Sequence, residues 1–411
     1  MLVDSPVKNY DIVIIGGGMV GASFACALSK TLTPEISVLV VEAFQQSSVA
    51  ENTQPSFDSR STALSFGSSK ILERIGVWES FSKQVTPIKE IHVSDRGRFG
   101  STQMNREQHQ TDALGYVFEN RTLGSVLNAA MAASTSVNVL CPAEVKQIKP
   151  CQGGMKLEVH MEQGCYAVNA TLVVLADGGR SSICSQLGIV SEVEHYQQCA
   201  IISNVAFENP HKHIAFERFT DSGPLAILPL ENIAAENRGA LVWTVNQCDV
   251  EELMSISDEV LLDKLQERFG NRLGRITRIG KRFSYPLSLS VAREQIRPGL
   301  VLLGNVAHTL HPAGGQGLNL ALRDTESLVN ILAEANQQGE QLGSMSVLQK
   351  YLDMQGRDQG RSIGFTHYLN RLFSSNNMSK VWLRKFGLLS IDLFPGLKQG
   401  FARQAMGLAD K

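Results

Sequence analysis

Glycines directly after an apolar strand are the residues of this chain best suited to bind a nucleotide. Gly16, Gly18 and Gly21 follow the apolar run Asp11–Ile15 and precede a run typical of a helix, Ala22–Leu28. Gly16 permits a tight turn, Gly18 lets a pyrophosphate approach the backbone, and Gly21 lets the helix lie close to the sheet. The first turn of such a helix offers unpaired N–H groups and a partial positive charge. This segment therefore predicts a phosphate-binding turn.

An acidic residue completes the pattern of a dinucleotide-binding unit. A second apolar run, Ser37–Val41, ends directly before Glu42. A carboxylate in this position can accept hydrogen bonds from the ribose hydroxyls of an ADP moiety, and the alternative is an ordinary surface acid at a strand end. The sequence holds no second G-x-G-x-x-G. We therefore expect one tightly held dinucleotide, and any second nucleotide would bind transiently.

Two later segments repeat the arrangement of a strand followed by polar residues or glycines. Asp177 follows the apolar run Leu172–Ala176, and Asn305 follows Gly299–Gly304. An uncharged, glycine-rich loop and an amphipathic helix come next. The residues of interest around this helix start are Pro312, Gly317, Leu318 and Asn319. The positive end of the helix dipole could face a flat, partly anionic ring such as the pyrimidine edge of a reduced flavin.

Size and charge limit the possible classes of function. The chain has 411 residues, 43% hydrophobic and 19% charged, which suits two closely packed domains. Its 38 basic and 40 acidic side chains nearly balance, so a nucleic-acid partner is disfavoured. Seven cysteines without a Cys-x-x-Cys indicate reduced thiols in the cytoplasm. The uncharged stretches 12–29 and 298–322 are too rich in glycine for membrane spans, so the protein is expected to be soluble or at most peripheral.

Motifs spread over most of the chain resemble those of one enzyme family. Besides the three strand-end segments, they are Phe57–Ser65, Ile91–Gly97, Ala215–Phe219 and Gly223–Leu230. Together they resemble the class A flavoprotein monooxygenases related to p-hydroxybenzoate hydroxylase. Within that class they resemble the ubiquinone-biosynthesis hydroxylases, and most closely the bacterial 2-octaprenyl-6-methoxyphenol hydroxylases. The resemblance runs in the same order from about Tyr10 to Phe373.

The resemblance implies FAD as the cofactor and gives roles to individual residues. The ADP half would be held by Gly16, Gly18, Gly21 and Glu42. Arg60 and Arg121 would neutralise the pyrophosphate, and Asp177 would lie near the nucleotide and the path of the reductant, NAD(P)H. The isoalloxazine would be lined by Pro312, Gly317, Leu318 and Asn319.

Two positions depart from the family pattern. Asn305 stands where most members have an Asp that contacts the ribityl chain, and an amide can still donate and accept there. Cys184 stands where the Asp-Gly motif often ends in Arg, so a role of this segment in binding the nicotinamide phosphate is in doubt.

The implied fold is α/β, with two interleaved domains. A doubly wound, Rossmann-like FAD-binding domain of the glutathione-reductase type would comprise residues 1–75, 90–182 and 298–335. A substrate domain with an antiparallel sheet, as in p-hydroxybenzoate hydroxylase, would comprise residues 76–89 and 183–297. Residues 336–411 would form a C-terminal helical segment.

The middle of the chain predicts the antiparallel sheet from its own pattern. Four short runs with alternating apolar residues share this signature, namely 201–207, 214–219, 225–230 and 240–245. With residues 283–287 they would form a wall over the far side of the flavin. The side chains expected to line the substrate pocket are Arg218, Phe216, Phe219, Pro229 and Pro312, and core packing suits the aromatic ones equally well.

The implied reaction is the hydroxylation of a prenylated phenol by O₂ and NAD(P)H, in which FAD carries out the difficult step. A group that deprotonates the phenol would enrich its ring in electrons, and the sequence does not identify that group. Three alternatives remain: a flavin hydroxylase of a small soluble aromatic, a flavin dehydrogenase or reductase without oxygenation, and an FAD-binding subunit with a structural role.

Two pairs of histidines could be interpreted as metal ligands, and we disfavour this interpretation for both. His308 and His311 could pair with Asp324, but a flavin-contacting loop explains them better. His211 and His213 are expected on an alternating strand with both imidazoles on one face, as part of a polar sheet surface. No metal is therefore expected.

The C-terminal segment 370–411 suggests a membrane contact. It holds seven basic and two acidic residues, interspersed with Trp, Phe and Leu, which suits an interfacial helix on an anionic bilayer. The alternative is a helical lid that packs on the core. Other proteins of ubiquinone biosynthesis are possible partners.

Overall fold

The computed structural model describes most of the chain. The described residues are 7–45, 60–96, 101–179, 181–310, 315–373, 399–400, 402–404 and 406–408. The strands are β1 Lys8–Ile15, β2 Val38–Val41, β3 Ser61–Ser65, β4 Thr86–Ile88, β5 Glu90–Asp95, β6 Ser101–Asn105, β7 Gly115–Glu119, β8 Val137–Leu140, β9 Glu144–Cys151, β10 Gly154–Met161, β11 Gly164–Leu175, β12 Ser191–Phe207, β13 Ile214–Thr220, β14 Gly223–Ile233, β15 Glu236–Asn246, β16 Ile276–Ile279, β17 Phe283–Ala292, β18 Ile296–Arg297, β19 Leu300–Leu302 and β20 His308–Thr309. The helices are α1 Met19–Thr31, α2 Phe66–Arg74, α3 Trp78–Phe81, α4 Asn120–Ala133, α5 Ser182–Gln186, α6 Val250–Ser255, α7 Asp258–Phe269, α8 Gln316–Gln337 and α9 Met345–Phe373.

The first sheet has a parallel core. Its strand order is β18-β19-β11-β1-β2-β8, and β9 and β10 extend it from β11. Because the second half of β1 and all of β2 are buried on both faces, residues 12–15 and 38–41 are continuous apolar runs without alternation. Ile12 and Ile14 point into a core shared with the helices, which includes Phe24 of α1 and Leu127 of α4. Val13 and Ile15 point into a second core on the opposite face, which β9 and β10 cover.

The second sheet is large and mainly antiparallel. Its strand order is β20-β17-β12-β15-β14-β13-β5-β6, and β16 pairs with β12. All four alternating runs predicted from the sequence are strands of this sheet, and their pairing is antiparallel as expected. One face is covered by α6 and α7, with Trp243, Leu261 and Phe269 in the core between them. The other face packs on a small third sheet of order β3-β7-β4.

The structure contradicts the predicted domain boundaries for three segments. Residues 76–89 were assigned to the substrate domain, but Val77 and Phe81 lie in the core shared with α1 and α4. Residues 90–105 were assigned to the FAD-binding domain, but β5 pairs in parallel with β13 and β6 pairs with β5, so both belong to the second sheet. Residues 183–189 were assigned to the substrate domain, but Ile183 and Ile189 lie in the core beneath the first sheet. All of these differences between the predicted and the observed domains arise from contacts between residues distant in the sequence, which local patterns do not reveal.

The prediction that His211 and His213 share a strand is wrong. They lie in a turn before β13, with positive φ at Lys212 and His213. The His213 N–H donates to Nδ1 of His211 (3.0 Å), and the Ile214 N–H donates to the His211 carbonyl (2.9 Å). These short-range hydrogen bonds compete with strand formation.

No helix within the described residues combines the length and the apolar character that crossing a bilayer requires.

Candidate active site

Four strands of the first sheet end at one edge, and each is followed by a residue singled out from the sequence. β1 pairs in parallel with β2 and with β11, and β11 pairs in parallel with β19. The carboxyl ends of these strands therefore meet, and they lead into Gly16, Glu42, Asp177 and Gly304. In open α/β sheets, ligands bind in the crevice outside this edge.

The turn after β1 is too tight for side chains. Gly16 has φ of 101°, and a Cβ there would lie 2.6 Å from the carbonyl oxygen of Ala176. A Cβ on Gly21 would lie 1.9 Å from the carbonyl oxygen of Gly16. Both positions therefore require glycine. At Gly16 the positive φ and the close approach both exclude a side chain, and at Gly21 the close approach alone does so. The residue before α1 is Gly18, which has no side chain to cap the helix, so the first N–H groups of α1 remain available to a ligand.

Glu42 is a buried part of this turn, which excludes the reading as an ordinary surface acid. Its side chain is only 3% exposed. Oε2 accepts a hydrogen bond from the Gly17 N–H (2.6 Å), and Oε1 accepts one from the Phe44 N–H (2.7 Å). The carboxylate therefore stabilises the glycine turn directly, and its contact with a ribose stays a prediction.

Asp177 and Asn305 lie in adjacent segments beside α1. The side chain of Val20 in α1 lies against Gly304, and Gly179 lies close to both Thr309 and Asn305. Asn305 is exposed, and its carbonyl oxygen accepts a hydrogen bond from Oγ1 of Thr309 (2.9 Å).

The surrounding protein alters the acidity of Asp177, although part of its side chain is exposed. Desolvation by burial raises the pKa of Asp177 to about 6, and hydrogen bonds from Ser181 and from its own backbone oppose this rise. The carboxyl group therefore changes charge near neutral pH.

The start of α8 is held against β3 by Asn319. Its Oδ1 accepts from the Ser65 N–H (2.8 Å), and its Nδ2 donates to the carbonyl oxygens of Ala63 (3.1 Å) and Gly315 (2.6 Å). Asn319 is 2% exposed, so it positions the helix start from behind, whereas the sequence predicted it at the flavin ring.

The remaining residues predicted at the flavin ring differ in their surroundings. At Gly317, no atom of the described residues lies within 4 Å of a Cβ built there. Leu318 is half-buried beside it. Gly315, which precedes α8, provides no side-chain cap, so the first N–H groups of this helix are available as well. Pro312 lies outside the described residues.

The two arginines predicted at the pyrophosphate contact protein groups. Arg121 forms an ion pair with Glu119 (2.5 Å), and Glu119 also binds Arg238 (3.2 Å). The guanidinium of Arg60 lies over the ring of Tyr285, 4.9 Å from its centroid. Arg60 thus bridges β3 and the second sheet, and a phosphate contact of either arginine remains a prediction.

His308 and Asp324 are engaged with each other. Both side chains are fully buried, and Nε2 of His308 lies 2.5 Å from Oδ2 of Asp324. Gln359 of α9 donates to the same carboxylate (3.3 Å). This network ties β20 to α8 and α9, while His311 lies outside the described residues.

Another potential set of metal ligands lies elsewhere in the first sheet. Glu158, His160 and Cys165 approach one another within 4.8 Å on β10 and β11. His160 and Glu158 already form a direct 2.6 Å hydrogen bond, which accounts for their proximity. Cys165 lies at the start of β11, at the opposite end of that strand from Asp177.

The face of the second sheet opposite α6 and α7 is turned towards β3 and β7. Ala215, Leu230 and Ala240 on this face pack on Ile88 of β4 and Val117 of β7. At the same face, Oγ of Ser61 lies 3.5 Å from Oδ1 of Asn204. Because Asn319 joins β3 to α8, this face is also turned towards the start of α8.

Half-buried apolar side chains run across the middle of this face. The pairing register aligns five of its residues, here termed the central row: Val93 of β5, Glu217 of β13, Ala226 of β14, Val242 of β15 and Ile202 of β12. Val93 is buried, whereas the other four keep part of their surface accessible. Partial exposure in the centre of an otherwise buried sheet indicates an open, mostly apolar space between the sheet and the FAD-binding part.

Three residues predicted to line the pocket lie on the opposite face of the second sheet, the face that α6 and α7 cover. Side chains alternate along a strand, and Phe216 lies with Leu225 and Phe269 in the core under α7. Arg218 shares this face, and its Nη1 donates to the carbonyl oxygen of Phe269 (2.5 Å). Pro229 follows the same alternation as Leu225. Arg218 therefore supports α7, and its pKa is lowered by burial and then by the neighbouring Arg272 and Arg96.

The last pocket candidate, Phe219, lies on the face turned towards the FAD-binding part, but it is packed with Met104 and Met406.

The sequence analysis missed Glu217, which lies between two of these candidates. It projects to the opposite face from Phe216 and Arg218, and burial raises the pKa of its carboxyl group to about 7. The alternation of β13 places Glu217 on the opposite face from Phe216 and Arg218. It identifies Glu217 as a pocket residue only if the face that meets the FAD-binding part is known.

The residues at this edge fit an FAD dinucleotide. The turn at Gly16 and Gly21 leaves room for backbone only, the first turns of α1 and α8 lack side-chain caps, and a buried carboxylate completes the turn. A pyrophosphate needs close backbone approach and unpaired N–H groups, and both are present.

Comparison with known proteins identifies the family. The model of the FAD binding domain family matches residues 9–351, which is most of the chain. The chain belongs to this family. Ubiquinone hydroxylase UbiL of Rhodospirillum rubrum is 32% identical over 97% of this chain and 90% of its own length. The 3-demethoxyubiquinol 3-hydroxylase of Escherichia coli is 28% identical over 97% of this chain and 98% of its own length.

Solved structures support the same fold. The p-nitrophenol 4-monooxygenase PnpA from Pseudomonas putida superposes with a TM-score of 0.75, covering 98% of this chain and all of PnpA at 17% identity. The predicted FAD cofactor, the class A flavoprotein fold and the resemblance to the ubiquinone hydroxylases are therefore confirmed. The predicted enzyme class, a flavoprotein monooxygenase, is confirmed as well.

Gly16→Ala should abolish retention of FAD. The new Cβ would meet the Ala176 carbonyl and would sit at an unfavourable positive φ, so the turn must open. We expect FAD per chain to fall at least about tenfold, a loss of roughly 1.4 kcal/mol or more in binding. Gly356→Ala is the matched control, because that helical glycine has open space around it and should keep full FAD. Undiminished FAD in Gly16→Ala would contradict the assignment of this turn.

Gly317→Asp tests whether the start of α8 faces the flavin ring. No described atom lies within 4 Å of a Cβ at this position, so the described residues leave room for the first atom of the new side chain. A negative charge beside a reduced flavin should lower its reduction potential by about 30 mV, which is about 1.4 kcal/mol for a two-electron couple. Gly317→Ala, measured in the same spectroelectrochemical titration, should leave the potential unchanged. Equal potentials in both variants would show that this helix lies away from the ring.

Proposed function

We propose that the protein hydroxylates a polyprenylated phenol in ubiquinone biosynthesis, using NAD(P)H and O₂. The observation that carries this proposal is the mostly apolar central row, four of whose five residues keep part of their surface accessible. A lipophilic aromatic ring suits that space, since the central row is aliphatic except for Glu217. The names of the relatives, which are ubiquinone hydroxylases, agree with a lipophilic quinone precursor as the substrate.

The chain's own residues would bind and orient the cofactor. The Gly16 turn and the first N–H groups of α1 would hold the pyrophosphate, and Glu42 would bind the adenosine ribose. Asn305 would contact the ribityl chain, and the start of α8 at Gly317 and Leu318 would lie along the ring. Bound FAD supplies hydride acceptance from NAD(P)H and the activation of O₂.

The protein would then position the substrate and keep water away from it. Ala226, Val242 and Ile202 would pack against the phenol ring and the first part of its prenyl chain. Excluding water from an oxygen-activating flavin prevents loss of the oxidant as hydrogen peroxide. Asn319 contributes indirectly, because it fixes the distance between α8 and β3.

Deletion of the gene, combined with isotope labelling, tests this function. Cells that lack the protein should accumulate a polyprenylphenol that is one oxygen atom short of the next intermediate, as measured by mass spectrometry. Restoring the wild-type chain under ¹⁸O₂ should give the product with one labelled oxygen.

Other outcomes of the same experiment would favour the rival functions. A product without the label would indicate a dehydrogenase, and an unchanged polyprenylphenol pool would indicate a small soluble aromatic as the substrate. Full restoration by the FAD-deficient variant Gly16→Ala would indicate a structural subunit.

The C-terminal segment suggests how the substrate reaches the site. We propose that the protein lies in the cytoplasm and contacts the inner face of the membrane through basic residues of segment 374–398, which lies outside the described residues. The end of the chain has a different role, since Ala402 and Met406 are buried against Val93 and Phe219, and the Gly67 N–H donates to the Met406 carbonyl (2.8 Å). Association with other proteins of ubiquinone biosynthesis is an alternative route of delivery.

Charge reversal tests the membrane contact without removing the packed end. Lys380→Glu, Arg384→Glu and Lys385→Glu in one variant should reduce flotation with anionic liposomes by at least about tenfold, since each basic residue near the surface contributes about 1 kcal/mol. The control reverses three exposed lysines of β9 and β10 that carry the same total charge, Lys146, Lys149 and Lys156. Equal flotation of both variants and the wild type would exclude the segment as the membrane contact and would favour delivery by a protein.

A further inference from the structure

Glu217 is the one ionisable side chain among the five residues of the central row. It projects from β13 between Val93 of β5 and Ala226 of β14, to which the pairing register aligns it. Its apolar neighbours on either side along the same face of β13 are Ala215 and Phe219. A carboxyl group in this position has a cost in stability, because charged groups strongly prefer water.

Packing encloses Glu217 from two sides and leaves its own surface partly accessible. Ala215 is buried against Ile88 and Val117, and Phe219 is buried in the cluster that contains Leu114 and Met406. Glu217 itself remains half-buried. Its carboxyl group therefore borders the open space between the second sheet and the FAD-binding part.

The described residues provide no hydrogen bond or ion pair to explain Glu217 structurally. Another carboxyl group on this face, that of Asp95, aligns with Phe219, two residues further along β5 than Val93. The arginine next in sequence, Arg218, points to the opposite face and binds the Phe269 carbonyl. Burial is the cause that raises the pKa of Glu217 to about 7, with no charged neighbour contributing.

We propose that Glu217 is a catalytic residue that accepts the proton of the substrate's phenol hydroxyl. This inference rests on the proposed function, because it requires a phenol in the open space beside the central row. The oxygen–hydrogen bond of the phenol breaks, its electron pair stays on the phenolate oxygen, and the proton forms a new bond to a carboxylate oxygen of Glu217. The proton returns to the oxygen of the product, so the step is neutral overall.

The acidity of Glu217 suits this transfer. A phenol has a pKa of about 10 and an ordinary Glu about 4.3, a difference of almost six units. A carboxyl group with a pKa of about 7 narrows the difference to about three units, which makes it a better proton acceptor. The phenolate is richer in electrons than the phenol, and this favours transfer of an electrophilic oxygen to the ring.

Two variants separate the chemical role from a structural one. Glu217→Gln keeps the shape and removes the proton acceptor, and Glu217→Met does so without leaving a buried polar group. General-base catalysis typically contributes about 10²–10⁴-fold, so we expect conversion of the accumulated polyprenylphenol in gene-deleted cells to fall by about 100-fold. The purified variants should keep full FAD, and Glu217→Met should have an equal or higher Tm, because a buried ionisable group has been removed. Glu192→Gln, at an exposed carboxylate of β12, is the control and should behave as wild type.

The outcomes distinguish the two levels of the proposal. Glu217 is supported as the proton acceptor if the wild-type chain converts the polyprenylphenol and both variants lose most of this conversion while they keep full FAD. If the wild-type chain converts the polyprenylphenol and either FAD-containing variant does so at a near-normal rate, this role of Glu217 is overturned and the proposed function stays intact. Failure of the wild-type chain to convert the polyprenylphenol overturns the proposed function, and the inference about Glu217 with it.

Discussion

The parallel register of β1 between β2 and β11 is the constraint on which the rest of the structure depends. It brings the ends of these strands to one edge, so that Gly16, Glu42 and Asp177 become neighbours although they are distant in the sequence. The closeness of Gly16 to the Ala176 carbonyl shows how little space separates the ends of β1 and β11. A side chain at Gly16 or Gly21 would displace the start of α1 and, with it, the N–H groups that a pyrophosphate requires.

A second connection couples this edge to the large antiparallel sheet. Asn319 joins the start of α8 to β3, and β3 reaches the second sheet through β7 and through contacts of Arg60 and Ser61. The distance between the start of α8 and the central row is therefore set by side-chain hydrogen bonds and packing rather than by one continuous element. This arrangement leaves an open space with aliphatic walls, in which a carboxyl group such as Glu217 lowers the stability of the fold.

Local patterns in the sequence were sufficient for the parts of the site that follow a single strand. The Gly16 turn, Glu42 and the antiparallel runs need only strand, turn and helix signals, and the structure contains each of them. Arg218 and Pro229 were expected in the pocket but follow the opposite face, and Phe216 takes the alternative of core packing, because alternation defines two faces of a strand but does not tell which face meets the other domain. The parallel pairing of β5 with β13 was missed because it joins residues more than a hundred positions apart. Asn319 was expected at the flavin ring, and its role in holding α8 depends on a contact with β3 that no local pattern contains.

The most direct test of this account is a crystal structure of the purified protein with the FAD that it retains. We expect the pyrophosphate to contact the backbone at Gly16–Gly18, and the isoalloxazine to lie between the start of α8 and the central row, with one face towards Glu217. A flavin ring bound on the α7 side of the second sheet, next to Arg218, or a pyrophosphate away from the Gly16 turn would contradict the account.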